Sequence, residues 1–572
     1  MEEPNYWTKW ARRRLSRRRL LVGAAAVGAG AAGLAMVGCG GGGEEEAPAG
    51  ATATPAAAGQ PRRGGRYKWA IPGDWGTIDP LTSVAYAPGD LFPFVYNVLA
   101  DQSRTKPEFF YFDLAESLEQ PDDVTYIYAI RSGVKIAPND LGIPERDLDS
   151  MDAQRWLERV SQDERAVHRP FTNQYLASFE APDAGTFTIK TKGPYAYFLL
   201  RLGSRLGGTM PPREFFEQGI SVEDKGVGAG PFVIRPGTYV ETGGISLDRN
   251  PNYYRRDEAT GEQLPYIDGR DAVRISDRQP RRTAFVDRQI YQYGAETRAE
   301  VDQLLGQLPD LVVVENPEDT FIAFSMNPTR DPWKDERIRK AALYALNREE
   351  FVNQIVGEGA GRPNGLVHWP LGSFALDPEE LEKLQPYDPK RSRDLIRAAT
   401  GQDTIGIKVM YPANSDIQFH KDHLPIFLKQ MRDAGFDIQE DPQEFGNWLA
   451  SYTNVDYDAS LSLNQQYETA EIPIDWHSAK GPQGNGLYAT GIGALFPDLE
   501  KAIGDSKRTT DPEELVQKVK EVQRLIYEKG PAFLPIFSWL IYDVYHGFVK
   551  NHPNTRGLGD THTFLNDWWL EL

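Results

Sequence analysis

The single cysteine of the chain, Cys39, is the residue whose type and position first suggest chemistry. It follows a basic segment that ends at Arg19 and an uncharged stretch from Leu20 to Gly38. A basic segment, an apolar segment and small residues before a cleavage point are typical of a secretory signal peptide. The glycine and glutamate residues after Cys39 offer no apolar core in which a cysteine could be buried. A role for the thiol as an attachment point is therefore favoured over a structural role.

The residues before Cys39 resemble the lipobox of bacterial lipoproteins, in which the cysteine thiol is acylated and becomes the mature N-terminus. Residues 16–21, Ser-Arg-Arg-Arg-Leu-Leu, resemble a twin-arginine export signal. These resemblances imply removal of residues 1–38 and an extracytoplasmic, lipid-anchored location. The composition of residues 39–61 is that of a flexible tether. An uncleaved membrane anchor is the alternative, because the uncharged stretch has 19 residues, which is near the minimum for a membrane span.

The charge of the chain argues against nucleic acid as a partner. Removal of residues 1–38 deletes seven basic and two acidic residues and moves the formal charge from −19 to −24. Neutralising phosphates needs a basic surface, and the short cluster Arg278, Arg281 and Arg282 is interpreted as a solvated helix face. One cysteine allows no disulfide framework. About 500 folded residues exceed what one core supports, so two or three domains are expected.

The sequence contains no motif that specifies catalysis. It has no G-x-S-x-G elbow, no H-E-x-x-H zinc motif and no P-loop. Gly28, Gly30 and Gly33 have the spacing of a dinucleotide fingerprint, but no strand precedes them. His420 and His423 could share a metal on one helix, but no further His or Cys lies nearby. We therefore expect no catalytic residues, no cofactor and no metal, and we do not expect an enzyme.

Two further features are interpreted as structural. Asp456 and Asp458 are two residues apart at a predicted strand, and they are not expected to act as a pair. The run Gly-Val-Gly-Ala-Gly at 226–230 could hold a phosphate through its amides. Because neither a lysine–threonine pair nor a helix start follows it, a close approach between packed elements is favoured.

The order of predicted elements indicates an α/β protein. Alternating apolar residues predict strands, and apolar residues at helical spacing predict helices. In the second half of the chain the two types alternate, which is typical of α/β layers. Strands are predicted near residues 64–71, 125–130, 186–190, 320–327, 408–411, 437–439, 458–463 and 533–537, and helices near 152–160, 333–342, 424–434 and 513–528.

Several short motifs, in this order, resemble those of the family 5 extracellular solute-binding proteins of ABC transporters, the dipeptide- and oligopeptide-binding group. Each motif is short, but their collinear order covers roughly residues 62–550. The matched segments are Ile78-Asp79-Pro80, Leu114-Ala115-Glu116-Ser117, Arg131-Ser132-Gly133-Val134-Lys135, Gly228-Ala229-Gly230-Pro231-Phe232, Arg249-Asn250-Pro251-Asn252-Tyr253-Tyr254, residues 337–348 and Tyr387-Asp388-Pro389.

The resemblance implies an α/β fold of the type II periplasmic-binding-protein kind, with two lobes and an extra domain inserted in the first lobe. Ligand binds between the lobes, which close around it as a hinge. Hinge crossings are expected near 315–320 and 535–540. The implied divisions are a signal peptide at 1–38, a tether at 39–61, lobe one at 62–105 with 190–315 and 540–572, an inserted domain at 106–189, and lobe two at 316–539.

The resemblance also implies candidate ligand-binding residues. The family's peptide binders capture the ligand amine with an aspartate in a W-x-x-D-Y-x-x-P segment, which corresponds here to residues 464–473. The proline is present and the tryptophan is missing. Glu468 is the nearest carboxylate, with a surface-loop role as the alternative. Asp74 follows the first strand, where the family contacts the ligand backbone, and the alternative there is a turn cap. The aromatic candidates, each also compatible with a core position, are Trp69, Trp448, Tyr467 and Trp476.

The implied function is solute capture without covalent chemistry. The protein would bind a peptide or another small polar organic solute, close on it and deliver it to the permease subunits of an ABC importer. It would be held at the membrane by its lipid anchor, and a monomer is expected. Three alternatives stay open: a sugar or opine receptor, favoured if the cleft lacks a carboxylate for an amine; a secreted hydrolase; and a sensor that presents ligand to a signalling partner.

Overall fold

The computed structural model describes residues 60–572 apart from several short segments. The segments that it does not describe are 84–85, 103–109, 204–208, 221–225, 414–418, 466–468, 480–490 and 553–566. Cys39 and the signal peptide lie outside the described residues. The interpretations of those residues therefore stay predictions.

The strands are numbered in chain order. They are β1 Arg66–Ile71, β2 Ala100–Gln102, β3 Phe110–Phe112, β4 Ala115–Glu119, β5 Thr125–Ile130, β6 Leu176–Asp183, β7 Thr186–Thr191, β8 Phe232–Ile234, β9 Ile245–Arg249, β10 Gly269–Arg274, β11 Gln292–Ala295, β12 Val312–Met326, β13 Gly361–Pro363, β14 Ile405–Pro412, β15 Phe436–Gln443, β16 Ala459–Gln465, β17 Phe533–Tyr545, β18 Val549–Lys550 and β19 Trp569–Leu570.

The α-helices are numbered in the same way, and 3₁₀ turns occur at Trp369–Phe374 and Ile492–Ala494. They are α1 Tyr86–Val95, α2 Ser150–Gln162, α3 Arg169–Tyr175, α4 Phe198–Gly203, α5 Glu214–Glu217, α6 Arg278–Val286, α7 Arg298–Gln307, α8 Glu336–Ala345, α9 Arg348–Ile355, α10 Pro378–Leu384, α11 Pro389–Thr400, α12 Phe419–Asp433, α13 Phe445–Thr453, α14 Glu471–Asp475, α15 Pro497–Arg508 and α16 Pro512–Lys529.

Three larger sheets organise the described residues. The N-terminal sheet has the order β1-β10-β9-β8, and its β1 and β10 are parallel. The inserted sheet has the antiparallel order β4-β5-β7-β6. The crossover sheet has the order β11-β17-β12-β16-β14-β15, with β13 beside β17. Parallel strands with helical connections occur together with antiparallel hairpins, as in mixed α/β folds.

The crossover sheet is held together by two long strands, β12 and β17. They pair antiparallel from Val312 opposite Tyr545 to Ser325 opposite Phe533. The register shifts between Pro317 and Phe321, where the pairing partner changes from Leu540 to Ser538. Such a shift bends a strand and increases its local twist. The chain therefore passes between the two halves of this sheet as a bent two-stranded ribbon.

Short polar residues define where the helices begin. At α2 the Asp149 carboxylate accepts a hydrogen bond from the amide of Met151 at 2.9 Å, and Asp152 accepts one from the amide of Asp149 at 2.9 Å. This reciprocal capping box satisfies amides that the first helical turn leaves without partners. Asp388 and Asp511 cap α11 and α16 in the same position, each followed by proline as the first helical residue. Proline is favoured there because its fixed φ suits a helix start.

The core packs the inserted sheet together with later parts of the chain. The largest apolar cluster contains Tyr128 and Phe187 of the inserted sheet, Phe198 of α4, and Ile474 and Val522 from the second half. A separate cluster lies beneath the N-terminal sheet, around residues 67–75 of β1 and the loop after it. The segment 195–203 therefore lies between the inserted sheet and the second half of the chain.

Most elements predicted from the sequence are present. The helices predicted near 152–160, 424–434 and 513–528 are confirmed as α2, α12 and α16. The strand predicted at 533–537 is confirmed but continues to Tyr545 in β17. The prediction was too short because β17 gains further partners in β12 and β11 after it crosses between the halves. Long-range pairing of this kind leaves no local sequence pattern.

Asp456 and Asp458 act together, which the sequence analysis did not expect, but their role is structural as it predicted. Both carboxylates bind the guanidinium of Arg330, at 2.6 Å for Asp456 and 3.2 Å for Asp458. Both residues precede β16, and Val455 before them has a positive φ of 56°. The two carboxylates therefore hold one cation in the turn before β16.

The interpretation of Arg278, Arg281 and Arg282 as a solvated helix face was also wrong. Arg278 pairs with Glu296 at 2.7 Å and also contacts Glu300. Arg281 donates to the carbonyl of Ile275 at 2.8 Å. The cluster is a set of satisfied, partly buried cations that fixes the start of α6.

The glycine run at 226–230 makes the close approach that the sequence favoured. A Cβ added to Gly230 would lie 2.7 Å from the carbonyl oxygen of Val95. The amide of Gly230 donates to that same oxygen at 3.0 Å. The run therefore packs backbone against backbone at the end of α1.

We predict that Gly230→Ala lowers the free energy of unfolding by about 1–3 kcal/mol, because backbone must move to accept the methyl group. Gly306→Ala is the matched control, because this glycine lies exposed in the last turn of α7 with no atom within 4 Å of an added Cβ. The control should be neutral or stabilising by up to about 1 kcal/mol. Urea unfolding followed by circular dichroism tests both variants, and equal midpoints for the two would contradict the packing described here.

Candidate functional site

In the second half of the crossover sheet, the carboxyl ends of parallel strands point toward the first half. Strand β16 pairs antiparallel with β12, and Gln465 at its carboxyl end lies opposite Thr320, beside the register shift. Strand β14 is parallel to both β16 and β15, so its carboxyl end at Pro412 lies on the same edge. Ligands of open α/β sheets bind at such carboxyl edges.

The N-terminal sheet presents its own carboxyl edge toward the same place. The Tyr67 hydroxyl of β1 donates to Gln292 at 3.0 Å, and Gln292 pairs with Tyr545 at the far end of β17. Three residues later, Ala70 packs on the cluster around Ala295 and Tyr542, which is nearer to the crossover. Strand β1 therefore runs toward the crossover, and the parallel strand β10 does the same.

The two carboxyl edges thus approach each other across the β12–β17 ribbon. A crevice between two such edges, with a few polar groups at its walls, is the usual form of a small-molecule site. The described residues at the first edge include Asp74 and Arg274, which follow or end β1 and β10. The segments 414–418 and 466–468, which follow β14 and β16 in the sequence, lie outside the described residues.

Asp74 is held at the first edge by an ion pair. Its Oδ1 lies 2.6 Å from Nε of Arg274, and its side chain is 49% exposed. The next residue, Trp75, is buried and its amide donates to the carbonyl of Glu241 at 2.8 Å, which fixes the turn. An ion pair this exposed contributes about 0–1 kcal/mol. The ion pair therefore orients the Asp74 carboxylate without burying it. The contact of this carboxylate with a ligand remains a prediction.

Trp69 lies in an aromatic cluster at the same sheet. Its ring is 4.4 Å from the guanidinium carbon of Arg270, and its edge meets Trp75 at a centroid distance of 6.5 Å. Arg270 is buried beneath it and is 3.6 Å from the centre of the Phe94 ring. Cation–π contacts of this kind contribute about 0.5–2 kcal/mol each. The part of Trp69 that stays exposed belongs to this wall of the N-terminal sheet.

Trp448 and Trp476 pack beneath the second edge. Trp448 is 3% exposed, and its Nε1 donates to the hydroxyl of Ser460 on β16 at 3.1 Å. Trp476 is 0% exposed, and its ring lies 4.3 Å from that of Phe533 on β17. In this conformation both rings support the strands that carry the second edge. Neither presents a ring face to solvent.

The two remaining predicted residues, Tyr467 and Glu468, lie outside the described residues. The described structure begins again at Thr469 and enters α14, whose first residue is Glu471. Sequence reasoning did not predict Glu471 or Asp475 as functional. Their spacing of four residues on a helix, around Pro473, was the signal that could have drawn attention to them.

Glu471 and Asp475 belong to a buried charged network. The Tyr195 hydroxyl donates to Oε2 of Glu471 at 2.5 Å, and Nε of Arg201 lies 3.5 Å from the same oxygen. Nζ of Lys507 lies 4.0 Å from the Glu471 carboxylate and also pairs with Asp475. Both carboxylates are almost fully buried, at 2% and 3% exposure.

Burial changes how this network ionises. Loss of water and the nearby Glu471 raise the pKa of the Asp475 carboxyl above its usual range, against the opposing effect of Lys507. Burial also raises the pKa of the Tyr195 hydroxyl, which keeps it protonated as a hydrogen-bond donor. A buried carboxylate is disfavoured unless cations and donors surround it. The network therefore depends on all of its members being in place.

A sequence model described as bacterial extracellular solute-binding proteins, family 5, matches residues 110–481. The match covers more than half of the chain. The chain belongs to the bacterial extracellular solute-binding proteins, family 5. This membership confirms the resemblance predicted from the ordered motifs.

Similar proteins share this architecture over most of the chain. The glutathione-binding protein GsiB of Salmonella typhimurium is 23% identical over 439 residues, which are 73% of this chain and 78% of that protein. The oligopeptide-binding protein AppA of Bacillus subtilis, solved with a nonapeptide, is 17% identical with a TM-score of 0.70 over 90% of this chain and 100% of that one. MoaA of A. tumefaciens R10, solved with mannopinic acid, is 20% identical with a TM-score of 0.65 over 85% of this chain and 95% of that one.

These similarities confirm the predicted fold class, an α/β two-lobed fold of the type II periplasmic-binding-protein kind. Family 5 consists of binding proteins. Within the described residues, no helix is long and apolar enough to cross a membrane. Over the same residues, no group of three or more His, Cys, Asp or Glu side chains is placed to hold a metal ion.

We predict that Trp476→Ala lowers the free energy of unfolding by about 3–5 kcal/mol, the usual cost of deleting a buried tryptophan. Phe445→Ala is the control, because that ring lies on α13 near Trp448 but is 47% exposed. The control should change the free energy of unfolding by no more than about 0.5 kcal/mol. Chemical denaturation measures both values. A Trp476→Ala protein as stable as the parent would mean that this ring is not part of the core.

Proposed function

We propose that this family 5 protein is the lipid-anchored receptor subunit of an ABC importer, and that it captures a short peptide or a similar small polar solute between two closing lobes. The observation that carries the proposal is the β12–β17 ribbon, on whose two sides the carboxyl edges of parallel strands approach each other. Ligand that contacts both edges favours the closed arrangement, because it binds that arrangement better than the open one.

The proposed boundaries of the two lobes are based on the β12–β17 ribbon, through which the chain crosses from one lobe to the other. We place the hinge at residues 315–320 and 535–540, which include the register shift of β12 against β17. Lobe one then comprises 62–105, 190–315 and 540–572, and lobe two comprises 316–539. The domain at 106–189 is inserted in lobe one and contains the inserted sheet. Hinges of this kind absorb rotation in a few residues at the ends of elements.

A ligand with a free amine is favoured by the similar proteins and by two candidate carboxylates. GsiB binds glutathione and AppA was solved with a nonapeptide, and both ligands are peptides. Asp74 at the first edge is half exposed, and Glu468 is the nearest carboxylate to the family's amine-binding position. Aromatic contacts of about 0.5–2 kcal/mol each cannot alone supply the roughly −8 kcal/mol of a micromolar complex. Hydrogen bonds and burial on closure must supply the rest.

An opine-type ligand is the second candidate, favoured by the similarity to MoaA with mannopinic acid. The W-x-x-D-Y-x-x-P segment of the family's peptide binders is altered here at residues 464–473, with the tryptophan absent. An altered amine site suits a ligand whose amine is substituted or absent. The two candidates differ in the ligand's amine and not in the mechanism of closure.

We place the protein outside the cytoplasm, anchored through Cys39 and working as a monomer with the permease. A captured solute must be released beside its transporter, and a lipid anchor keeps the protein at the membrane where the permease lies. Stable membrane attachment needs more than one acyl chain, and bacterial lipoproteins carry several on one cysteine. Residues 39–61, rich in glycine and alanine, provide the tether.

We predict that the mature protein binds glutathione or trialanine with a dissociation constant in the micromolar range, and mannopinic acid at least ten times more weakly. Isothermal titration of the three compounds against the protein tests this, together with mass spectrometry of whatever copurifies in the cleft. Tight binding of mannopinic acid alone would decide for the opine candidate. Binding of none of them, with an empty cleft, would contradict the proposed ligand classes.

A pair of variants separates the role of Asp74 from its ion pair. Asp74→Asn should weaken binding of the preferred peptide about tenfold or more, whereas Arg274→Gln removes the same ion pair and leaves the carboxylate in place. Both should keep the parent's thermal stability, because an exposed pair contributes so little. Equal affinities of the two variants for the peptide would indicate that the Asp74 carboxylate does not contact the ligand.

We predict that Cys39→Ala moves the protein from the membrane fraction to the soluble fraction. The change removes the thiol to which the acyl chains are attached. Gly40→Ala is the control, because it keeps the cysteine and should stay with the membrane. Fractionation with immunoblotting measures the distribution, and a Cys39→Ala protein that stays in the membrane would indicate an uncleaved anchor instead.

A further inference from the structure

The buried network around Glu471 joins residues that precede β12 in the sequence to residues that lie between β12 and β17. We call Tyr195, Arg201, Glu471, Asp475 and Lys507 the interlobe network. Tyr195 and Arg201 precede β12, and the other three residues lie between β12 and β17. The chain passes from one side to the other through these two strands, so the network bridges the proposed hinge. This step rests on the proposed function, in which the two sides are closing lobes.

The contacts across the ribbon are specific and short. Tyr195 donates to Glu471 at 2.5 Å, and Arg201 lies 3.5 Å from the same carboxylate oxygen. The backbone amide of Ala196 donates to the carbonyl of Lys507 at 2.7 Å, which fixes the two segments in register. The Asp475 carboxylate and Lys507 pair within lobe two. Separation of the lobes would therefore take Tyr195 and Arg201 away from Glu471 and leave the Asp475–Lys507 pair intact.

While the site stays dry, the complete network has a lower free energy than a network that lacks one partner. A buried ion pair is close to neutral in free energy when all its partners are present. Removing one partner leaves an uncompensated charge and is strongly unfavourable while the site stays dry. Partial closure, with Glu471 buried but not yet bonded to Tyr195, is therefore disfavoured. The lobes should be either apart, with Glu471 hydrated, or fully closed.

The network is also connected to the second carboxyl edge. Glu471 is the first residue of α14 and comes six residues after Gln465, the carboxyl end of β16. Trp476, the next residue after α14, packs on Phe533 of β17. A shift of β16 or of α14 against β17 on ligand binding would therefore move Glu471 relative to Tyr195. The Glu471 carboxylate itself is already taken by Tyr195, Arg201 and Lys507, so it is not available to a ligand amine.

We propose that Glu471 is a positioning residue that couples occupancy of the ligand site to lobe closure, with Tyr195 and Arg201 as its partners on the other lobe. The closed state is stabilised when these contacts form, and the ligand is retained for as long as they persist. Loss of the contacts mainly speeds dissociation, because the open state to which ligand first binds does not contain them.

The ionisation of Asp475 predicts that ligand affinity depends on pH, which provides a second test. The groups that face Asp475 are Glu471, Lys507 and Arg201, and Tyr175 and Tyr197 lie near both carboxylates. In the conformation described, burial raises the pKa of the Asp475 carboxyl, and Glu471 raises it further. In the proposed open state water reaches Asp475, which lowers this pKa toward its ordinary value. A pKa that is higher in the closed state than in the open state means that closure takes up a proton. Closure, and with it affinity, is therefore favoured as the pH falls from neutral toward the ordinary pKa of an aspartate.

The test compares Tyr195→Phe and Glu471→Gln with the parent and with a control, Tyr293→Phe. The control removes a similar hydroxyl, which donates to Glu300 at 2.7 Å, but both of its residues lie in lobe one. Stopped-flow binding of the peptide that the parent prefers, glutathione or trialanine, should give dissociation rate constants about 5–30 times higher in the two network variants. Association rate constants and the control should stay within about twofold of the parent. Unchanged dissociation in both network variants would overturn the proposal.

Amide hydrogen exchange provides a readout that does not need the ligand class to be right. Peptides covering 195–203 and 471–475 should exchange faster in Glu471→Gln than in the parent, and at the parent's rate in Tyr293→Phe. If the parent binds none of the panel compounds, the proposed ligand classes fail, whereas the exchange comparison still decides the role of Glu471. Equal exchange in Glu471→Gln and the parent would overturn that role.

The pH profile separates positioning from simple packing. Affinity of the parent for the preferred peptide should be higher at pH 5.5 than at pH 7.5. In Asp475→Asn, which has no proton to take up at this position, the affinity should be equal at the two pH values. A parent profile that is flat, or one that Asp475→Asn reproduces, would contradict the coupling between closure and the network.

Discussion

The antiparallel pairing of β12 with β17 is the interaction on which the rest of the structure depends. It runs through both halves of the crossover sheet, with register shifts between Pro317 and Phe321 and between Ile322 and Ala323. The side-chain pair Asn316 and Asp543, with a hydrogen bond of 2.8 Å, binds the two strands to each other just before the first shift. Because β1, β14 and β16 all take their directions from this ribbon, it determines that the two carboxyl edges meet.

The two edges and the interlobe network then form one system. In the account proposed here, the ribbon allows rotation, the edges supply contacts for a ligand, and the network stabilises complete closure. Hydration of Glu471 in the open state and its full set of partners in the closed state give two favourable arrangements with an unfavourable one between them. A receptor that must present a distinct closed form to a permease needs such a separation of states. In the proposed function, Cys39 serves location and the two carboxyl edges serve specificity.

Much of this architecture could be predicted from the sequence, because local patterns and ordered motifs carry it. Helices such as α16 follow from apolar spacing and the Asp511–Pro512 start, and the family follows from motifs such as Arg249 to Tyr254. The site could be predicted only in part. Trp448 and Trp476 had the right residue type for a cleft, yet they lie in the core beneath it. The contact of Tyr195 with Glu471 joins residues 276 positions apart, and no local pattern could reveal it.

The central claim is that ligand closes two lobes around the β12–β17 ribbon. A distance measurement between spin labels tests it most directly, with labels at Lys192→Cys and Lys501→Cys in a Cys39→Ser background. Both positions are exposed and lie near the Ala196–Lys507 contact between the lobes. The account predicts a long, broad distance distribution without ligand and a shorter, narrow one with the bound peptide. A distribution that is the same with and without bound peptide would contradict it.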